Sequence, residues 1–321
     1  MSKKLVIGAS GQIGVELVDK LAALHGTDNV LATDIKPQAD VFADGVKSLQ
    51  LDVLDKAKLF EIVKENNISE IYLLAALLSA VSESKIQSAW DLNMKGLFNV
   101  LELAREKHID RIFWPSSIAL FGATSPKKFT PQSTVIEPMT VYGISKMAGE
   151  RWCEYYFKKF GVDVRSLRYP GIISYKSKPG GGTTDYAVDI FHAALKSHSY
   201  TCYLDRNMKL PMMFMDDAIR ATVEIMNIER SNLKINSSYN ISAMSFSPHE
   251  IASKIQKYID NFKIYYKPDF RNKIADSWPD SINDDFARKD WNWSHNFDLE
   301  KTVSVMITEV QKKLRTKVNL K

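Results

Sequence analysis

Tyr142 and Lys146 stand four residues apart in Tyr142-Gly-Ile-Ser-Lys146, so on a helix they share one face. A free tyrosine has a pKa of about 10 and is a poor base at neutral pH. A neighbouring ammonium would stabilise the phenolate and convert the pair into a general acid–base. Upstream, Pro115-Ser116-Ser117 closes an apolar run, where a hydroxyl could orient a substrate oxygen. A Tyr–Lys pair standing alone is commonly a surface or packing pair, so its weight depends on what else the chain carries.

A second group of residues supplies that context. Gly8-Ala9-Ser10-Gly11-Gln12-Ile13-Gly14 follows the strand-like Leu5-Val6-Ile7 and opens a helical pattern, as a dinucleotide turn requires. Gly8 permits the tight turn, Gly11 lets backbone approach a pyrophosphate, and Gly14 lets helix pack on strand; the helix amino end favours phosphate charge. Asp34 ends the next strand about 20 residues on, where an acid receives ribose hydroxyls. Its charge would repel a 2′-phosphate, so NAD is expected over NADP. A positive nicotinamide would then join Lys146 in stabilising the Tyr142 phenolate. Asp52-Val53, after a third strand, either flanks an adenine or caps a helix.

These residues need elements to hold them. Leu5–Ile7, Asn29–Thr33, Leu49–Leu51, Glu70–Ala75, Arg111–Pro115 and Val164–Tyr169 read as strands. Ile13–Leu24, a segment capped near Asp55, Leu92–Lys107 and Tyr142–Phe160 read as helices. Such alternation predicts an α/β fold, a doubly wound parallel sheet of Rossmann type. After Tyr169 the pattern changes, with Pro170-Gly171 and Pro179-Gly180-Gly181-Gly182. A helix over Asp216–Asn227 and a strand at Tyr239–Ile241 are expected to rejoin the main sheet. The remainder, with Trp278, Trp291 and Trp293, reads as a smaller, discontinuous C-terminal lobe closing a cleft. Residues 1–169 with about 213–243 would form the NAD-binding domain, and 170–212 with 244–321 the substrate-binding lobe.

Composition narrows the classes. Of 321 residues, 45% are hydrophobic and 25% charged, values that exclude a disordered or fibrous chain. Lys and Arg number 43 against 38 Asp and Glu, a net charge of +5 too small to imply nucleic acid. The basic close of the chain, Lys312, Lys313, Arg315, Lys317 and Lys321, reads as a solvated helix face and tail. Two cysteines, Cys153 and Cys202, support neither a disulfide framework nor a structural zinc site, and suit a reducing compartment. The apolar run Ile71–Val81 is too short to span a bilayer, and Met1-Ser2-Lys3-Lys4 leads directly into a strand. A cytoplasmic protein without membrane partners is expected, mitochondrial only if a leader precedes this sequence.

Together, Gly8–Gly14, Asp34, Asp52-Val53, Leu74-Ala75-Ala76, Asn93, Ser117, Tyr142 and Lys146 resemble the extended short-chain dehydrogenase/reductase family. The resemblance covers most of the chain. It implies bound NAD and hydride transfer, with Tyr142 as acid/base, Lys146 and Ser117 beside it. It implies cofactor contacts from Gly8, Ser10, Gly11, Gln12, Ile13, Gly14, Asp34, Asp52, Val53, Leu74, Ala75, Ala76, Asn93, Tyr142, Lys146, Tyr169 and Ile172. Asn93 would support the active-site helix and a water relay, with packing its competing role.

Sugar-nucleotide members carry Asn two residues after the aromatic of Arg-Tyr-x-Asn, whereas this chain reads Arg168-Tyr169-Pro170-Gly171. Dehydratase members place Asp-Glu after the Ser/Thr, whereas Ile118-Ala119 stands here. By contrast, Pro170–Ser174, Pro179–Ala187 and Asp276-Ser277-Trp278-Pro279 are similar to the short-chain L-threonine 3-dehydrogenases. That resemblance implies oxidation of the L-threonine 3-hydroxyl to 2-amino-3-oxobutyrate, with substrate contacts at Ser79, Ser117, Tyr142, Gly182, Thr184 and Trp278. Ser79 could instead cap a turn, Gly182 act as a hinge, and Trp278 pack the lobe. The resemblance further implies a homodimer and functional coupling to a 2-amino-3-oxobutyrate CoA ligase. No metal is expected, because zinc-dependent threonine dehydrogenases need cysteine ligands lacking here. Two other readings remain: a sugar-nucleotide 4-epimerase that retains NAD, and a non-catalytic NAD-sensing protein.

Overall fold

Leu5, Val6 and Ile7 are sealed from solvent, and burial on both faces is what a central parallel strand requires. In the computed structural model, which describes residues 2–177 and 180–319, this run is β1 (Lys3–Ile7). Pro179 and Lys321, named above, lie outside the described residues. There follow α1 (Gln12–His25), β2 (Val30–Asp34), β3 (Lys47–Gln50), α2 (Lys56–Glu65), β4 (Ile68–Leu73), α3 (Ser79–Ser84), α4 (Ile86–Trp90), α5 (Gly96–Arg105) and β5 (Arg111–Phe113). The middle of the chain forms β6 (Ser116–Ser117), α6 (Val141–Phe160), β7 (Asp163–Arg165), β8 (Leu167–Tyr169) and β9 (Gly171–Ile173). Next come α7 (Tyr186–Ser197), β10 (Ser199–Cys202), β11 (Leu210–Phe214) and α8 (Met215–Asn227). The last elements are β12 (Tyr239–Asn240), β13 (Met244–Phe246), α9 (Pro248–Gln256), β14 (Lys263–Tyr266), α10 (Phe270–Asp276), α11 (Asp285–Trp291) and α12 (Leu299–Asn319).

The central sheet runs β3-β2-β1-β4-β5-β7, every pair parallel. Crossovers therefore lead outward from β1 on both sides, which makes this the doubly wound Rossmann fold that the alternation predicts. Two runs expected as unbroken strands divide in two. Arg111–Pro115 ends at Phe113 and resumes as β6, because Pro115 has no N–H to give the ladder. Val164–Tyr169 divides at Ser166 into β7 and β8. Trp114 N still donates to Arg165 O at 3.0 Å, so the two breaks stay in step. Beyond them β6, β8 and β12 form a separate parallel trio, so Tyr239-Asn240 pairs with β8 and, against expectation, does not rejoin the six-stranded sheet.

The helix expected over Leu92–Lys107 is longer and less regular. It is preceded by α4, and Asp91–Lys95 makes a π-helical turn before α5. Such turns recur at functional sites because they re-aim one side chain. Here the turn carries Asn93, whose Oδ1 accepts from Leu77 N at 3.0 Å and whose Nδ2 donates to Ser145 Oγ at 3.1 Å.

On one face of the sheet, Leu17, Val18 and Leu21 of α1 pack with Ala218 and Ile219 of α8. On the other, Leu59 of α2 packs with Leu97, Val100 and Leu101 of α5. A third core joins Ile190 and Phe191 of α7, Ile251 and Ile255 of α9, Met306 and Val310 of α12, and Trp278. Trp291 and Trp293 join the α1–α8 core beside Tyr239. No helix among the described residues is long and apolar enough to cross a membrane.

Candidate active site

The carboxyl edge of the sheet opens on a cavity of about 290 Å³. Several turns converge on it for steric reasons. Gly8 adopts φ +84°, and a Cβ there would lie 2.6 Å from Ala75 N, so the β1–α1 turn sits directly on the chain leaving β4. A Cβ on Gly14 would lie 2.4 Å from Gly8 O, so α1 starts as close to β1 as backbone allows. On the far wall Thr140 caps α6 by accepting from Gly143 N at 3.0 Å. A Cβ on Gly143 would lie 2.2 Å from Ala119 O, so the first turn of α6 presses against the turn after Ser117.

That contact brings Ser117 close enough to Tyr142 for its hydroxyl to favour the phenolate. One turn along α6, Lys146 Nζ donates to Pro115 O at 2.5 Å and lies 4.5 Å from the Trp114 ring centroid. It is 5.4 Å from the ring centroid of Tyr142. Burial drives Lys146 down to about 7 and the Tyr142 phenol up to about 12, against the opposing effect of Ser117. The sequence reading expects Lys146 to lower Tyr142, and the structure differs. Lys146 points at a carbonyl and is itself pushed towards its neutral form, so burial dominates at the phenol. A phenolate here depends on positive charge brought into the cavity.

Gly8, Gly11, Gln12, Ile13 and Gly14 line one side of the cavity, with Leu74, Ala76, Tyr169 and Ile172 beyond them. Gln12 Nε2 is buried there without a hydrogen-bond partner among the described residues, a donor that a bound polar group would satisfy. This lining fits a dinucleotide. Asp34 stands at the lip, its Oδ2 accepting from Ser10 N and its Oδ1 from Lys36 N, both at 3.1 Å. Ser10, Asp34 and Ala75 thus shape the turn from behind and do not line the cavity. Neither do Asp52, Val53 and Asn93. Asp52 Oδ1 accepts from Leu54 N at 2.9 Å, Val53 is buried against Gly96, and Asn93 ties the π turn to Leu77 and Ser145.

Ser79, Ser117, Tyr142, Gly182, Thr184 and Trp278 all line this one cavity, although they come from both halves of the chain. The Ser79 hydroxyl lies 3.1 Å from Thr183 Oγ1 and accepts from Thr183 N at 3.3 Å, linking the start of α3 to the glycine-rich segment. The first turn of α7 leaves no N–H free for a substrate carboxylate: Tyr186 N donates to Tyr203 Oη at 2.8 Å, Ala187 N to Thr184 O, and Val188 N and Asp189 N to Asp185 O. Leu78, Ser116, Thr183 and Asp185 line the cavity without being singled out from sequence. For Asp185 the available signal was an acid ending a Gly-Gly-Gly-Thr-Thr run, which reads equally well as a helix cap.

The chain matches the model of the NAD dependent epimerase/dehydratase family over residues 4–242. An uncharacterized epimerase/dehydratase of Staphylococcus aureus (strain USA300) is 46% identical, the match covering 99% of this chain and all of the relative. A GalE-like L-threonine dehydrogenase from Cupriavidus necator, in its holo form, superposes with a TM-score of 0.94 at 51% identity, over 96% of this chain and 99% of that one. A monomeric L-threonine 3-dehydrogenase from a metagenome gives 0.93 at 48%, over 97% and 99%. The chain belongs to the NAD dependent epimerase/dehydratase family.

Proposed function

We propose that this member of the NAD dependent epimerase/dehydratase family oxidises the 3-hydroxyl of L-threonine to 2-amino-3-oxobutyrate with release of NADH. The observation that carries the reading is the convergence of Ser117, Tyr142 and Lys146 with Thr184 and Trp278 around one cavity. NAD⁺ held along Gly8, Gly11, Gln12, Ile13 and Gly14 would supply the hydride acceptor and the positive charge that the phenol lacks. Tyr142 takes the hydroxyl proton, Ser117 holds the same oxygen through its hydroxyl, and Lys146 keeps a mobile proton behind them. Thr184 and Trp278 close the substrate side and exclude water. Similarity to L-threonine dehydrogenase structures along nearly the whole chain supports the choice of substrate.

Gly171 weighs against a sugar-nucleotide epimerase, because it stands where those members carry the Asn of Arg-Tyr-x-Asn. The product, a β-keto acid, would lose CO₂ or pass to a CoA-dependent ligase. A homodimer is the proposed assembly, supported by the exposed aromatics Trp90, Trp152, Tyr155 and Phe160 on α4 and α6 and testable by light scattering. Two free, buried cysteines support a reducing, cytoplasmic setting. The deciding assay follows NADH absorbance on mixing the protein with NAD⁺ and a panel of amino acids and sugar nucleotides. NADH formed from L-threonine supports the reading; none from it, with tightly retained NAD, favours epimerisation.

A further inference from the structure

Asp185 is the one carboxylate among the described residues that line the cavity, and Lys146 the one cationic side chain. The two do not serve each other: Lys146 Nζ is held by Pro115 O. Asp185 Oδ2 accepts from Gly181 N at 2.9 Å and from Gly182 N at 2.7 Å, which fixes the carboxylate's orientation. Its Oδ1 receives no hydrogen bond from the described residues, and a Cβ on Gly182 would lie only 2.9 Å from it. The missing side chain at Gly182 therefore leaves that oxygen uncovered beside Thr184. Burial pushes the Asp185 carboxyl up to about 6, Asp189 adding to the rise while the two glycine amides and Arg271 oppose it. A half-buried carboxylate with one unmatched oxygen is costly unless a cation arrives to face it.

We propose that Asp185 Oδ1 receives the ammonium group of the substrate, which makes the cavity selective for α-amino acids over the corresponding hydroxy acids. The assignment rests on the threonine reading above and deepens it. Gly182 then has a steric reason to be glycine, and the two glycine amides act as a fixed mount for a binding carboxylate.

The test uses the full chain loaded with NAD⁺ and titration calorimetry with two probes. L-2-aminobutyrate keeps the ammonium and lacks the hydroxyl; (R)-3-hydroxybutyrate keeps the hydroxyl and lacks the ammonium. Asp185→Asn retains an oxygen for the glycine amides and removes the charge. The ratio of the dissociation constant for aminobutyrate to that for hydroxybutyrate should rise by about 30-fold or more, as expected for removing one member of a desolvated charge pair. Asp189→Asn, one turn further along α7, should leave that ratio within about twofold. An unchanged ratio in Asp185→Asn overturns the assignment, whether both ligands weaken together or neither does, and so does wild-type protein that binds neither probe.

If Asp185→Asn does not fold, pH titration of the wild type reads the same interaction. Asp189, Arg271 and Tyr203 are the other charged or titratable groups acting on Asp185. Aminobutyrate should weaken and hydroxybutyrate tighten as pH falls through about 6; parallel behaviour overturns the assignment. Failure of the threonine reading is recognised separately, as absence of NADH from L-threonine. A shifted ratio in that case still assigns Asp185 to an amino-acid ammonium.

Discussion

Glu150 and Arg168 meet through two parallel hydrogen bonds, Nε to Oε1 at 2.9 Å and Nη2 to Oε2 at 2.8 Å, with both side chains sealed from solvent. Glu150 lies one turn beyond Lys146 and two beyond Tyr142 on α6, and its Oε1 also accepts from Ser116 Oγ at 2.6 Å. Arg168 lies on β8 and reaches Gln132 O and Asn240 Oδ1 as well. One carboxylate therefore fixes the helix bearing the acid–base both to β8 and to Ser116, the strand residue preceding Ser117.

Removing one partner leaves the other charged and buried without compensation. Glu150→Ala should lower the unfolding free energy by about 3–5 kcal/mol. Denaturant melts followed by tryptophan fluorescence check this; a loss under about 1 kcal/mol would mean that water readily replaces the carboxylate.

Tyr142→Phe deletes the phenolic oxygen and keeps the ring. Turnover with L-threonine should fall by about 10²-fold or more, while the dissociation constant for NAD⁺ stays close to that of the unmodified protein. Lys146→Met should impair both quantities, since Lys146 lines the same cavity 5.4 Å from the Tyr142 ring centroid. Near-normal turnover in Tyr142→Phe would move the base elsewhere.

Asp34 sits at the lip of the glycine turn with its carboxylate steered by Ser10 N and Lys36 N. A fixed negative charge there opposes a 2′-phosphate. NAD⁺ should be preferred over NADP⁺, and Asp34→Ala should narrow the gap by about tenfold or more. Equal kcat/KM for both cofactors in the unmodified protein would remove this role from Asp34.

Thr184→Ala removes a hydroxyl from the substrate wall, and Gly182→Ala puts a methyl group 2.9 Å from Asp185 Oδ1. Both should raise KM for L-threonine, by about tenfold for a lost hydrogen bond, with little change in NAD⁺ binding. Normal kinetics in Thr184→Ala would reduce the segment to a connector.

The pH profile should carry two signatures. Asp185 must be ionised to face an ammonium, and burial raises it to about 6. The kcat/KM for L-threonine should therefore fall as pH drops through about 6, a limb absent in Asp185→Asn. Tyr142 is pushed the other way from usefulness, up to about 12, so turnover should climb from neutral into alkaline solution. A flat profile across this range would contradict both.

Much of this was readable from spacing. Gly8 to Gly14 behind an apolar triplet, and Tyr142 with Lys146 at one helical turn, are local patterns whose geometry follows from sequence distance alone. The π turn at Asp91–Lys95 was not, because it answers to partners 16 and 52 residues away, Leu77 and Ser145. The strand breaks at Trp114-Pro115 and Ser166 likewise depend on their pairing across the sheet. Asp185 was hidden for a different reason: only the fold reveals that its carboxylate turns back onto Gly181 and Gly182, away from the helix that it begins. The direction of the Tyr142 shift also escaped the pattern, since helical spacing sets proximity to Lys146 and says nothing of how dry the site is.

The Lys146 amine, held near 7, is divided in neutral solution between its charged and uncharged forms. Any ligand that favours one of these forms over the other exchanges hydrogen ions with the surrounding medium, and its departure reverses the exchange. Association with NAD⁺ through ribose hydroxyls would then release or absorb heat in proportion to the ionisation enthalpy of the buffer. Its apparent affinity would change with pH around 7. The cavity would act as a small proton reservoir, coupled to cofactor entry and release.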